Sequence, residues 1–244
     1  MARPRTYKTQ GIVLKQTPIG EADRILSICT ADLGKLRAVA RGVRRPKSKL
    51  AGHLEPLTHV RVSVAEGRSL DNIAEAETIH SFKGLREDLQ RLSRAIYLAD
   101  LVESFTAERS PSATTFQILL EALGRLQEDA SPARVIRYFE IQLLRCSGFG
   151  PELHLCVECR SVLEPGDHLF SPTRGGILCN DCRVAQEEAM LSISLNAVKV
   201  LRFFQAEPYS RVAGLRLSAG LLEELERLLA AYIRHVLERE LKST

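Results

Sequence analysis

Residues 9–42 read TQGIVLKQTPIGEADRILSICTADLGKLRAVARG. Within them TQGIVLKQT (9–17), RILSICT (24–30) and KLRAVARG (35–42) are short, rich in β-branched and aliphatic residues, and partly alternate between apolar and polar, which is the two-residue period of a half-buried strand. Pro18 with Gly20, and Asp32 with Gly34, separate them with turn chemistry. Downstream, THVRVSVAE (58–66) and LDNIAEAETIH (70–80) repeat the pattern across Gly67. Five short strands in residues 1–80, with a long excursion between the third and fourth, suit a small closed β-barrel of the OB type. An SH3-like barrel would produce a similar string.

The excursion is strongly basic. Lys35, Arg37, Arg41, Arg44, Arg45, Lys47 and Lys49 fall in one run, and no acidic residue occurs from Leu33 to Leu54. Residues 1–80 carry 14 Lys+Arg against 8 Asp+Glu, net +6, whereas residues 81–244 carry 20 against 22, net −2. A basic front on a near-neutral body points to a polyanion or an anionic surface. Lipid binding would add an amphipathic helix or an anchor, and Gly42, Pro46 and Gly52 break any helix here. The expected partner is therefore nucleic acid, held by a mobile basic arm on a barrel type that commonly binds oligonucleotides. The competing readings are a merely solvated loop and charges paired within the protein. Tyr7 is the only Phe, Tyr or Trp in residues 1–80, so few bases can stack. Binding should be backbone electrostatics, blind to sequence and open to single and double strands.

After Phe82 the period changes. Leu85, Leu89, Leu92, Ile96, Ala99 and Val102 recur at spacings of three and four, predicting a helix over about 84–108. Ser131 and Pro132 start another, with Val135, Phe139, Leu143 and Cys146 on its core face. A third opens at Ser218 and carries Leu222, Leu225, Leu229, Tyr232 and Val236. The expected class is α+β, with an OB-fold nucleic-acid-binding domain at 1–80 and a helical domain at 81–244. No apolar run of about 18 residues could span a bilayer. The opening MARPRTYKTQGIVL lacks a secretory apolar core, which predicts a cytoplasmic protein with reduced cysteines.

Between the helices, Cys156, Cys159, Cys179 and Cys182 form C-x2-C-x19-C-x2-C inside an insertion at about 153–185. That spacing predicts one zinc ion on four thiolates. Four cysteines close the coordination shell, so the role is structural. Cys29 and Cys146 lie in apolar patterns and read as small core residues, and His154 and His168 as surface loop histidines rather than ligands. His53 and Glu55 form an H-x-E, but neither cysteine pair follows a proline and the fourth thiolate takes the water position, so the match to a zinc deaminase is chance. No phosphate loop, dinucleotide fingerprint, nucleophile elbow or H-E-x-x-H is present. The chain reads as a binding protein and not an enzyme; a zinc-ribbon RNA- or ribosome-associated factor would share these features.

The run GIVLKQTPIGEADRILSICTADLGKLRAVARGVRRPKSKLAGHLEPL (11–57), the segment FSPTRGGILCNDC (170–182) and the closing YIRHVLERELKS (232–243) together resemble the bacterial RecO family of recombination mediators. The resemblance covers nearly the whole chain. Arg160 departs from it, standing after Cys159 where glycine is common, as does Leu57, where an aromatic is common. It implies an OB-fold, a helical body with a zinc insertion, and a role in recombinational DNA repair. It further implies annealing of complementary strands, action with RecR to load RecA, and contact with single-strand-binding protein. By family position the phosphate contacts fall on Lys35, Arg37, Arg41, Arg44, Arg45, Lys47 and Lys49, and the zinc on Cys156, Cys159, Cys179 and Cys182.

Overall fold

The computed structural model describes residues 5–182 and 190–243; the end of the expected insertion, 183–185, lies outside them. The chain forms two compact units, residues 1–132 and 133–244.

The first unit begins with β1 (Thr6–Ile19), β2 (Asp23–Thr30), β3 (Gly34–Ala40), β4 (His59–Ala65) and β5 (Asp71–His80). They close into a barrel in the order β1-β2-β3-β5-β4, with every neighbour antiparallel except β3 and β5. This is the five-stranded OB arrangement expected from the strand spacing. Alternation drives closure: Leu26 and Ile28 of β2, Leu36, Ala38 and Ala40 of β3, and Val60, Val62 and Val64 of β4 all point into one core with Val13 and Ile73. A register shift between Val13 and Lys15 bends β1 so that it pairs with both β2 and β4.

Closure between β3 and β5 is thin, resting on Ala38 opposite Asp71 and Val39 opposite Asn72. The other half of the β3 edge would stay unpaired, which is a liability for any sheet. Three helices follow the barrel, α1 (Lys83–Arg86), α2 (Leu89–Phe105) and α3 (Ala113–Glu128), and the α2–α3 connection covers that edge. Glu108 bridges to Lys35, and the Arg109 amide donates to the Lys35 carbonyl at 2.9 Å. Gly34 has to be glycine here, because an added Cβ would lie 2.1 Å from the Ser110 carbonyl oxygen.

A buried carboxylate locks the cover in place. Asp71 Oδ2 accepts from the Tyr7 hydroxyl at 2.7 Å and from Arg109 Nη2 at 2.8 Å, while Oδ1 accepts from the Gly67 amide at 3.1 Å. Burial pushes the Asp71 carboxyl up, but the bonds from Tyr7 and Gly67 and the Arg109 charge outweigh it and hold the group below its ordinary range. A depressed folded-state pKa means stability that is present above the unfolded value, about pH 4, and is lost as pH falls through the folded one. Asp71→Asn should therefore cost about 1–3 kcal/mol near neutrality, and the gap from wild type should close on acidification. Urea midpoints across that range check it, and a constant gap would show that the charge plays no part.

The predicted 84–108 helix is broken in the structure. Asp88 Oδ1 accepts from the amides of Gln90 and Arg91 at 2.8 and 3.1 Å, capping α2 and ending α1. The break shifts the phase, so Leu85 is fully buried while Leu89 is 80 % exposed.

The second unit contains α4 (Pro132–Cys146) apart from its first residue, then β6 (His168–Ser171), β7 (Gly176–Leu178), β8 (Leu191–Ile193), α5 (Leu195–Ala206), α6 (Tyr209–Val212) and α7 (Ala219–Ser243). The strands form a small sheet in the order β7-β6-β8. Val135, Phe139 and Leu143 of α4 are buried as their spacing predicted. Cys146 is not a core residue: it is exposed at the last position of α4, and Leu144 takes the interior place. Cys29 is buried as expected.

Candidate nucleic-acid interface and metal centre

The loop between β3 and β4 carries most of the basic run, and backbone geometry explains its path. Gly42, at φ +63°, turns the chain, and its amide donates to Asp23 Oδ1 at 2.7 Å. The Arg44 amide donates to the Ala22 carbonyl at 2.9 Å, and those of Arg45 and Ser48 close successive turns on Gly42 and Arg45 at 3.0 and 2.9 Å. Val43 and Leu54 belong to the barrel core, with Leu50 and Ala51 packed against it. The loop is thus tied at both ends and in its middle, and is not the loose arm that the sequence suggested. Between the ties Arg41, Arg44, Arg45, Lys47 and Lys49 are all exposed. Among the described residues no ion pair reaches any of the five.

Lys35 and Arg37 sit elsewhere, on the outer face of β3 with intramolecular partners. Lys35 Nζ donates to the Glu103 carbonyl at 2.7 Å and lies 3.8 Å from Glu103 Oε1. Arg37 Nη1 donates to Glu108 Oε1 at 3.0 Å. The Ser27 hydroxyl also donates to Glu103. The face of strands 2 and 3, which OB-folds commonly use for oligonucleotides, therefore carries two carboxylates here. Of the predicted basic residues, five gather on the loop and two are tied to α2 and its following turn.

In the second unit the cysteine spacing produces the expected convergence. Cys156 and Cys159 lie on one turn, where the Cys156 amide donates to the Ser161 carbonyl at 2.8 Å and the Arg160 amide to the Cys156 carbonyl at 3.0 Å. Arg160 takes φ +63°, the left-handed conformation for which glycine is suited at this point of such a turn. Cys179 and Cys182 lie on a second turn that follows β7. The two turns meet through the Val157 amide, which donates to the Ile177 carbonyl at 2.9 Å.

All four sulfurs lie within 4.8 Å of one another, and those of Cys159 and Cys179 are 3.7 Å apart. Four sulfurs at about 2.3 Å from one ion, arranged tetrahedrally, would be about 3.8 Å apart, so the set fits a metal ion. The Cys179 amide already points at the Cys156 sulfur, at 3.4 Å. The Ser161 hydroxyl and amide, with the neighbouring thiols, push Cys159 down to about 6; hydrogen bonds to Cys159 and then Cys179 push Cys182 up to about 12. A cation among the four sulfurs would favour their thiolate forms. His154 is exposed, whereas His168 is a buried β6 residue contacting the Glu164 carbonyl at 2.8 Å, not a surface loop residue. Neither is in the sulfur cluster.

The family model described as Recombination protein O N terminal matches residues 1–82, and Recombination protein O C terminal matches residues 86–244. The chain belongs to the RecO family. It is 41 % identical over 243 residues to the DNA repair protein RecO of Dehalococcoides mccartyi strain CBDB1, spanning 100 % of this chain and 95 % of that one. The protein of the same name from Roseiflexus sp. strain RS-1 is 39 % identical, over 99 % and 84 % of the two chains, and that from Symbiobacterium thermophilum is 38 % identical, over 97 % and 94 %. The division between the family models falls where strands give way to helices, whereas the compact unit runs on to Pro132 and includes the helices that cover the barrel. Among the described residues no helix is long and apolar enough to cross a membrane.

Sequence reasoning missed Glu103 and Glu108, which lie 68 and 71 residues from their basic partners and leave no local signal. It also missed α3 and α5, although Ser112 and Ser194 cap them and Phe116, Leu119, Leu123 and Leu126, then Val198, Leu201 and Phe204, repeat at helical spacing.

Proposed function

We propose that this protein is a recombination mediator in DNA repair: it binds single- and double-stranded DNA, anneals complementary strands, and helps RecR load RecA onto DNA coated by single-strand-binding protein. The observation that carries the reading is the tied loop with five exposed cations that no ion pair reaches among the described residues, in a chain matched along its length by the RecO family. The OB domain, residues 1–80, supplies the nucleic-acid contacts, and residues 81–244 form the helical domain with its metal-bearing insertion. The setting is the cytoplasm, at the nucleoid.

The mechanism is electrostatic. Arg41, Arg44, Arg45, Lys47 and Lys49 meet phosphates, which releases condensed counterions and fixes no sequence. Two strands held on one cationic surface repel each other less, so complementary bases can pair without nucleotide hydrolysis. Lys35 and Arg37 join the contact only when phosphates displace Glu103 and Glu108. Zinc suits the four thiolates; it supplies cross-linking of the two cysteine turns and no chemistry, because the cysteines fill its shell.

A strand-annealing assay with labelled complementary oligonucleotides, with and without single-strand-binding protein, tests this. Annealing should proceed without ATP. A requirement for ATP, or no annealing at any salt concentration, would overturn the mechanism.

A further inference from the structure

A cleft of about 380 Å³ opens at the barrel end opposite the basic loop, where β1 begins, β2 turns into β3, and β4 turns into β5. Its apolar walls are the Tyr7 ring, Leu33, Leu36 and Pro111. Tyr7 is half-buried, and its hydroxyl is committed to Asp71, so the only Phe, Tyr or Trp side chain in residues 1–80 is held in position. Lys8 and Arg109 also line the cleft.

Arg109 is arranged in an unusual way. Its backbone is left-handed, at φ +54°, and one guanidinium nitrogen is anchored on buried Asp71, yet its side chain remains 71 % exposed. A non-glycine residue held in that conformation is a place to look for function. The anchor fixes a guanidinium while leaving its other N–H groups outward. Asp32 and Glu66 complete the lining as hydrogen-bond acceptors, Asp32 already accepting from the Thr9 hydroxyl.

We propose that this cleft binds the base of one unpaired nucleotide, with Tyr7, Leu33 and Pro111 against the base and Arg109 and Lys8 on its phosphate. The inference rests on the DNA-binding reading above and adds to it a contact that requires a base. An aromatic ring beside fixed cations is the combination single-strand binders use. The carboxylates at the lining match exocyclic amino groups, which cytosine offers and thymine does not. A duplex keeps its bases stacked inside and could use only the loop, so the cleft distinguishes unpaired DNA.

The test compares oligodeoxycytidine with an abasic oligomer of equal length, in equilibrium titrations of the full chain. Wild type should bind the base-bearing strand at least about fivefold more tightly, the effect of one stacked base. Leu33→Glu places a charge in the cleft while leaving the Tyr7, Asp71 and Arg109 side chains themselves unaltered. It should bring the affinity ratio close to one while the melting temperature holds. If Leu33→Glu melts early, Pro111→Glu, at an exposed lining position, carries the same expectation. Equal binding of both strands by wild type, or a ratio unchanged in a folded variant, would overturn the cleft and leave the loop's role intact. Binding of neither strand would overturn the DNA-binding reading itself.

Discussion

Changing Arg44, Arg45 and Lys47 together to alanine should flatten the dependence of log affinity on log salt by about 2 to 3 units, the sum of three phosphate contacts at about 0.7 each for single strands or about 0.9 for duplex. The weakening should be similar on all sequences, because phosphate contacts carry no base information. Folding should survive: all three side chains are exposed, and the buried anchors Val43 and Leu54 are untouched. Arg37→Ala makes the contrast. Its guanidinium is already paired with Glu108, so its removal should leave the slope nearly unchanged. That surface pair is worth about 0–1 kcal/mol, so melting should shift only slightly. A loop that is merely solvated would leave the slope of the triple variant unaltered, which would assign these charges to the wrong partner.

Cys179→Ser should remove the metal and unfold the insertion. Sites of this kind couple binding to local folding, with apparent binding free energies of about 10–16 kcal/mol in zinc-finger peptides, so loss of one thiolate should cost several kcal/mol there. Elemental analysis should find about one zinc per wild-type chain and little in the variant. Proteolysis should open the segment around 153–182 while the barrel keeps its DNA affinity in part, since loop and cysteines lie in different compact units. A metal-free wild-type protein, or a variant with unchanged melting and protease resistance, would contradict a structural metal.

How much of this was legible beforehand depended on the range of the interactions. Strands β1 to β5 announced themselves because a half-buried strand alternates within its own residues, and turn residues such as Gly20, Gly34 and Gly67 act locally. The convergence of Cys156, Cys159, Cys179 and Cys182 was legible for the same reason. A C-x-x-C turn is specified within four residues, and two such turns bring four thiols together wherever they meet. The positive charge of the excursion was legible from composition alone.

Which of those charges are free was not. Lys35 and Arg37 look the same in sequence as Arg44 and Arg45, and only the fold of α2 and its following turn brings Glu103 and Glu108 onto the outer face of β3. The Asp71 lock has the same character, joining Tyr7 and Arg109 from 64 residues before it and 38 after. Burial is also a property of the assembled chain. His168 enters a strand and Cys146 falls on the exposed side of α4, although each sequence neighbourhood suggested the reverse. Sequence by itself determined the barrel, the cysteine cluster and the positive charge of the excursion. The tertiary structure decided which cations meet solvent, what covers the open edge of β3, and where a cleft forms beside Tyr7. Local periodicity is written in neighbouring residues, whereas charge pairing and burial are settled by segments that meet only after folding.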